Sequence, residues 1–117
     1  MSSLEERREN AQALIKKYNG RIPVVVSVIY NSKLPTIEQK NFLVTTDMTT
    51  RQFTMLLRKK LRLSENQSIF MFAETASKTY ILVTCCDTLG ELYEKYKNID
   101  GFLYIYYGED SVFGSSV

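Results

Sequence analysis

The sequence predicts a single α+β domain in which a sheet grasps a helix. Local patterns along the chain give the order α, β, β, α, β, a short insertion, α, β, with two strands before the central helix and further strands after it. The length of 117 residues suits one domain with one core. A ferredoxin-like arrangement is the alternative, but it would need two crossover helices of similar length.

The first predicted element is a helix of about four turns. Ser3 and Glu6 have the spacing of a capping box, and Asn19-Gly20 provides a stop signal. Five apolar residues between these signals fall on one helical stripe: Leu4, Ala11, Leu14, Ile15 and Tyr18.

Two strands should follow. Residues 22–29 are rich in β-branched side chains, and Pro23 lies near the start, where a strand tolerates proline. Residues 33–36 predict a loop, and residues 41–45 predict a short second strand.

The central helix should open at Thr49, because Thr49 and Gln52 have capping-box spacing. Its inward stripe is Phe53, Leu56, Leu57 and Leu61. Residues 68–73 predict a third strand and residues 79–83 a short extra one. Thr88 should cap a shorter helix, and residues 102–107 predict the last strand.

Composition narrows the functional classes. The chain has no His, which removes Ser-His and Cys-His nucleophile pairs and the commonest metal ligand. Walker, GxGxxG, GxSxG and CxxC patterns are absent too, which leaves only carboxylate- or lysine-based chemistry. We therefore expect a protein that is not an enzyme and that uses no cofactor or metal.

The cysteines, charges and hydropathy favour a cytoplasmic protein. The adjacent Cys85 and Cys86 rarely fit disulfide geometry with each other, so free thiols are expected. No apolar run approaches the ~18 residues of a membrane-spanning helix, and the N-terminus lacks a signal-peptide pattern. Up to Arg62 there are 12 Lys and Arg against 5 Asp and Glu, and after it 3 against 8. The acidic second half argues against nucleic-acid binding.

Three stretches together resemble the autophagy ubiquitin-like modifiers, the family of autophagy-related protein eight, the GABA-receptor-associated protein and the microtubule-associated light chains. They are KKYNGRIPVVV, DMTTRQFTMLLRKKL and FLYIYYGEDSVFG, within a similarity that runs from Glu5 to Gly114. The resemblance implies a ubiquitin-like β-grasp with an additional N-terminal helix. It divides the chain into a helical extension (1–20), a ubiquitin-like domain (21–107) and a flexible tail (108–117).

In that family the tail carries the chemistry. The resemblance implies cleavage by a cysteine protease after Gly114, next to the hydrophobic Phe113. E1-like and E2-like enzymes would then join Gly114 to phosphatidylethanolamine, and this covalent lipid would bring the protein from the cytoplasm to the autophagosome membrane. The protein should be a monomer when soluble.

The family also captures short hydrophobic peptides of autophagy receptors beside strand two. Carried onto this sequence, the pocket for an aromatic anchor would use Leu14, Pro23, Val25, Leu43 and Phe102. The pocket for an aliphatic anchor would use Phe42, Val44, Met48, Phe53 and Leu56. Arg21, Arg58 and Lys60 would attract acidic residues that flank such peptides.

The sequence departs from the family pattern at several positions. Gln39 and Asn41 stand where the family usually has lysines, and Asn10 stands where it has an acidic residue. The stretch from Glu74 to Cys86 is longer than the pattern and predicts an inserted hairpin around Lys78.

Three functional alternatives stay open at this point. The chain could be a peptide-binding module that is never conjugated, or a modifier joined to a protein lysine. The last three residues, Ser115-Ser116-Val117, also fit the ending that PDZ-type grooves capture.

Overall fold

The structure, a computed structural model, describes residues 3–83 and 88–109. Three helices and five strands follow the predicted order, and the α+β class is confirmed. The elements are α1 (Leu4–Lys17), β1 (Arg21–Val28), β2 (Asn41–Thr45), α2 (Thr50–Leu61), β3 (Phe70–Glu74), β4 (Tyr80–Leu82), α3 (Leu89–Tyr96) and β5 (Leu103–Gly108).

The five strands form one mixed sheet in the order β2-β1-β5-β3-β4. β1 and β5 are parallel at its centre, and the other neighbours are antiparallel. Pro23 is accommodated because the parallel pairing with β5 begins one residue later, at Val24. β2 and β4 are therefore the outer strands of the described sheet.

All three helices begin where their capping signals predict. Ser3, Thr49 and Thr88 each accept a hydrogen bond from the backbone N–H three residues on, and Glu6, Gln52 and Glu91 complete the capping boxes. Six of the orphan N–H groups at helix ends are thus satisfied locally, which fixes the helix starts independently of tertiary packing.

The hydrophobic core lies between one face of the sheet and the helices α2 and α3. β1 contributes Ile22, Val24 and Val26, and the helices contribute Phe53, Leu57, Leu89 and Leu92, among others. α1 packs on β1 from the opposite face of the sheet, and Ala11 is its only buried residue. Because α1 buries so little apolar surface, polar contacts have an unusual share in holding it.

The predicted hairpin around Lys78 is present. Thr75 N donates to Thr79 O at 2.8 Å, and Lys78 adopts the left-handed conformation with φ +66°. The hairpin places β4 on the outside of β3, so this stretch adds a strand to the sheet. Cys85 and Cys86 lie outside the described residues.

The last strand extends further than the sequence indicated. Gly108 was assigned to the tail, but it pairs with Phe70 as the final residue of β5. Glu109 is also held, because Ser32 Oγ donates to its Oε1 at 2.5 Å and Lys33 N donates to its Oε2 at 2.8 Å. Poor strand propensity at these two positions is overridden by pairing with β3 and by the loop after β1.

Candidate functional site: a groove along the free edge of β2

A groove of about 870 Å³ lies between α1 and the adjacent face of the sheet. α1 supplies one wall with side chains at helical spacing, and β1, β2 and β5 supply the floor and the other wall. All five residues predicted for the aromatic-anchor pocket line it: Leu14, Pro23, Val25, Leu43 and Phe102.

The backbone beside this groove has hydrogen-bonding groups that pair with no other strand of the described sheet. Val26 N donates to Lys40 O, and Thr46 N donates to Gly20 O, so the hydrogen-bonded pairs of the β1–β2 ladder fall on even residue numbers. Leu43, which faces Pro23, is in a pair without hydrogen bonds, and its N–H and C=O point away from β1. An added strand would find its first backbone partner at Leu43.

Side chains of the protein partly cover this edge. Gln39 Nε2 donates to Asn41 O at 3.1 Å, and Arg21 Nη1 donates to Leu43 O at 3.3 Å. Lys60 Nζ in turn donates to Gln39 Oε1 at 3.1 Å. Covering edge carbonyls with polar side chains is a common way to prevent edge-to-edge aggregation, and these side chains must move if a peptide strand pairs here.

The residues predicted for the aliphatic-anchor pocket lie differently. Phe42, Val44 and Phe53 belong to the core, with Phe53 fully buried against Phe42 in an edge-to-face contact of 5.6 Å between ring centroids. Met48 and Leu56 are only partly buried. In this conformation the surface at that position is formed by Met48 and Leu56, backed by the three core residues.

Strand alternation explains the difference between the two sets. Phe42 and Val44 point from β2 to the core side, whereas Leu43 points to the α1 side. The two predicted anchor sites are consequently on opposite faces of the same sheet edge.

The charges around the groove are basic. Arg7 and Lys17 are the charged residues that line it. Of the predicted cations, Arg21 begins β1 and its guanidinium reaches Leu43 O on the β2 edge, and Lys60 lies 5.9 Å from the centroid of the Phe42 ring. Arg58 is engaged elsewhere, because its guanidinium donates to Gln67 O and Ser64 O at 2.7 Å each. The structure thus separates Arg58 from the other two.

Sequence reasoning missed several groove residues. Asn10, Ala13 and Lys17 line the groove on α1, and Tyr104 lines it on β5. Their spacing from predicted residues could have indicated them. Asn10, Ala13 and Lys17 are at positions −4, −1 and +3 from Leu14, so they lie near it on the helix, and Tyr104 is two residues after Phe102, on the same side of an extended chain.

A buried carboxylate lies under one end of the groove. Asp100 is 1% exposed, and its Oδ2 accepts from Arg7 Nε at 3.1 Å and from Tyr104 Oη at 2.5 Å. Its Oδ1 accepts from Phe102 N at 2.9 Å. Burial, together with this hydrogen bond to Asp100, raises the pKa of Tyr104, which therefore stays a neutral donor.

The predicted processing site, Phe113 and Gly114, falls outside the described residues. The described residues end at Glu109, just before that segment. The two hydrogen bonds from Ser32 and Lys33 lower the pKa of Glu109, which keeps this carboxylate ionised at neutral pH.

The described residues contain no group of three or more Cys, Asp and Glu side chains that could hold a metal ion. Nor does any helix within residues 3–83 and 88–109 combine the length and hydropathy of a membrane span.

Comparison with known proteins identifies the family. Residues 6–114 match the family described as "Autophagy protein Atg8 ubiquitin like". The chain belongs to the Atg8 family. The resemblance to the autophagy ubiquitin-like modifiers that the sequence indicated is thereby confirmed.

Relatives in the Atg8 family cover almost the whole chain. Autophagy-related protein 8 of Phaeosphaeria nodorum is 35% identical over 113 residues, which is 97% of this chain and 91% of that protein. Autophagy-related protein 8e of Arabidopsis thaliana is 36% identical over 115 residues, 98% and 90% of the two chains.

The crystal structure of Trypanosoma brucei ATG8 superimposes with a TM-score of 0.81 at 29% identity, covering 97% of this chain and 93% of that one. The ubiquitin-like fold with an N-terminal helix is therefore confirmed.

Proposed function

We propose that this chain is an autophagy modifier that is matured after Gly114, joined there to phosphatidylethanolamine, and used to recruit short receptor peptides to autophagosomal membranes. It would work from the cytoplasm with a cysteine protease and with E1-like and E2-like conjugation enzymes. Atg8 membership supports the modifier role. The observation that carries peptide recruitment is the groove beside the free edge of β2.

The groove suits a peptide that adds a strand to β2. The backbone groups of Leu43 would pair with it, while its side chains reach both faces of the sheet edge. Because successive side chains of a strand point to opposite faces, an anchor for the groove and an anchor for the Met48 and Leu56 surface must be an odd number of positions apart. A spacing of three positions satisfies this rule.

The expected affinity follows from a few terms. Two anchors contribute about 1.5 to 3 kcal/mol each, and each backbone hydrogen bond adds about 1 kcal/mol net. The cost of association offsets much of this, so a single peptide should bind weakly. Weak single contacts suffice when many copies share a membrane.

The tail fits lipid conjugation chemically. Adenylation of a freed Gly114 carboxylate by ATP would release pyrophosphate, a cysteine thiol would displace AMP to form a thioester, and the lipid amine would displace the thiol to form an amide. A glycine carbonyl carries no side chain to hinder these attacks. Phosphatidylethanolamine brings two acyl chains, which hold a protein at a membrane far more stably than one.

Isothermal titration calorimetry would test peptide binding. A peptide with an aromatic and an aliphatic anchor three positions apart should bind, and the same peptide with a four-position spacing should bind at least about tenfold more weakly, because both anchors then share one face. Leu43→Ala should weaken peptide binding about tenfold. Leu82→Ala on the opposite sheet edge is the matched control, since Leu82 is also partly exposed. Equal binding of the two peptides would refute the proposed mode.

Intact mass spectrometry of protein from cells would test maturation and conjugation. The expected species lacks Ser115-Ser116-Val117, and the membrane fraction carries one added phosphatidylethanolamine at Gly114. Gly114→Ala should abolish both changes, whereas Ser116→Ala should leave them intact. Recovery of only full-length chains from membranes and cytosol alike would refute this part and favour a module that is never conjugated.

A further inference from the structure

We propose that Asp100 is a positioning residue for the peptide groove: its buried carboxylate fastens α1 to the sheet and so places the Leu14 wall. The inference rests on the proposed peptide binding and names the element that controls it. Asp100 itself lies beneath the groove and does not need to touch a peptide.

Helix α1 buries little apolar surface against the rest of the protein. Ala11 is its only buried residue, while Leu14 is half-buried and Ile15 is 37% exposed. The 14 residues of the helix therefore gain little from burial, and an isolated helix of this length is marginal in water. Something other than the hydrophobic effect must keep α1 in one orientation.

The loop before β5 contacts α1 at three points. Arg7 Nε donates to Asp100 Oδ2 at 3.1 Å, and Arg8 Nε donates to Ile99 O at 3.0 Å. Ala11 sits so close to Gly101 that a Cβ added there would lie 2.8 Å from the Ala11 Cβ. All three contacts involve the same three-residue stretch of the loop.

The same loop is also held by hydrogen bonds from β5 and α3. Tyr104 Oη on β5 donates to the Asp100 carboxylate, and Tyr93 Oη on α3 donates to Gly101 O at 2.7 Å. Asp100 N donates to Asn98 Oδ1 at 3.0 Å. The carboxylate thus joins β5 and the loop before it to α1. A buried carboxylate that accepts from a charged and a neutral side chain at Oδ2 and from a backbone N–H at Oδ1 is strongly directional, which suits a positioning role.

The position of Leu14 in the groove depends on how α1 is held. Leu14 is two helical turns from Arg7 on α1 and forms the wall opposite Leu43. Releasing the Arg7 end lets the helix pivot, and the wall then moves relative to the floor formed by Pro23 and Phe102. A pocket that is no longer preorganised binds its anchor more weakly although no groove residue has changed.

The decisive variant is Asp100→Asn, which keeps the size of the side chain and removes its charge. Asp47→Asn is the matched control, because Asp47 is exposed and in a turn. Hydrogen exchange should become at least about tenfold faster in α1 of Asp100→Asn and stay unchanged in β1 and α2. Affinity for the two-anchor peptide should fall about five- to tenfold, with no change in Asp47→Asn.

A double-mutant cycle separates positioning from general destabilisation. Leu14→Ala should weaken peptide binding in the wild-type background and have a clearly smaller effect in Asp100→Asn, because the wall is already displaced. Should Asp100→Asn not fold, Arg7→Gln provides the exchange measurement, since it removes one donor and leaves the carboxylate bound to Tyr104.

Several results would overturn the inference. Unchanged exchange in α1, exchange that rises equally across the whole domain, or faster exchange in α1 with unchanged peptide affinity would each do so. Failure of the wild-type protein to bind the peptide would instead overturn the proposed function, and the exchange measurement would then decide by itself whether Asp100 fastens α1.

Discussion

Tyr107 connects the end of the central sheet to the loop that leads into β2. Its side chain is fully buried, its hydroxyl donates to Pro35 O at 2.5 Å, and the same oxygen accepts from Ile37 N at 2.9 Å. Burial raises the pKa of Tyr107, so the hydroxyl remains protonated and keeps both bonds over the whole physiological range. Tyr107→Phe removes one oxygen and leaves the ring in place.

The two lost bonds differ in cost. Pro35 is exposed, so its carbonyl can turn to water, and the net loss there is about 0.5 to 1.5 kcal/mol. Ile37 is buried, and its N–H is left without a partner at a cost of about 1 to 3 kcal/mol. We expect the free energy of unfolding to fall by about 2 kcal/mol, which lowers Tm by about 8 °C for a chain of this size.

Urea denaturation followed by circular dichroism measures this difference, and the m-value shows whether the native state stays compact. Tyr30→Phe is the control, because Tyr30 is 86% exposed, and it should change the stability by less than about 0.5 kcal/mol. A Tyr107→Phe protein as stable as the control would show that the loop rearranges to satisfy Ile37, and the reasoning from this bond would fail.

Three further changes have definite expected outcomes. Gly101→Ala should lower the free energy of unfolding by at least about 1 kcal/mol in thermal melts, because its φ of +91° disfavours a side chain and the new Cβ would meet Ala11; unaltered melting would contradict this. Glu109→Gln should destabilise the protein at neutral pH. Because the folded pKa of Glu109 lies below its ordinary value of 4.5, the difference in unfolding free energy from wild type should vanish as the pH falls through that folded pKa. A difference in stability that persists at low pH would rule out this cause. Gln39→Ala should strengthen binding of the two-anchor peptide about two- to fivefold in calorimetry, because it uncovers Asn41 O; weaker binding would mean that Gln39 contacts the peptide.

The elements themselves were predictable because their determinants are local. Each capping box lies within four residues, and each was found in the structure at the predicted position. The hairpin around Lys78 is another local feature that the sequence indicated. Gly108 and Glu109 were misassigned because their partners, Phe70 and Ser32, are distant in the sequence, so no local propensity could reveal that they are held.

The groove was only partly predictable for the same reason. The resemblance supplied five residues that the structure brings together, yet it also grouped Phe42, Val44 and Phe53 with Met48 and Leu56, and the structure buries the first three in the core. A residue-by-residue transfer carries identity and position but not exposure, which depends on the packing of α2 against β2 in this chain.

The boundary that the sequence suggests after residue 20 therefore divides the chain but not the site. Leu14 lies on one side of it and Leu43 on the other, and both line one groove. Among the contacts that join the two parts is the ion pair between Arg7 and Asp100, 93 positions apart in sequence. An Asp next to Gly suggests only a turn when read locally. Asp100 can hold α1 because the loop before β5 lies at the face of the sheet on which α1 packs. In the proposed function the N-terminal helix is part of the peptide-binding surface, and in the role proposed for Asp100 the orientation of that helix depends on this carboxylate.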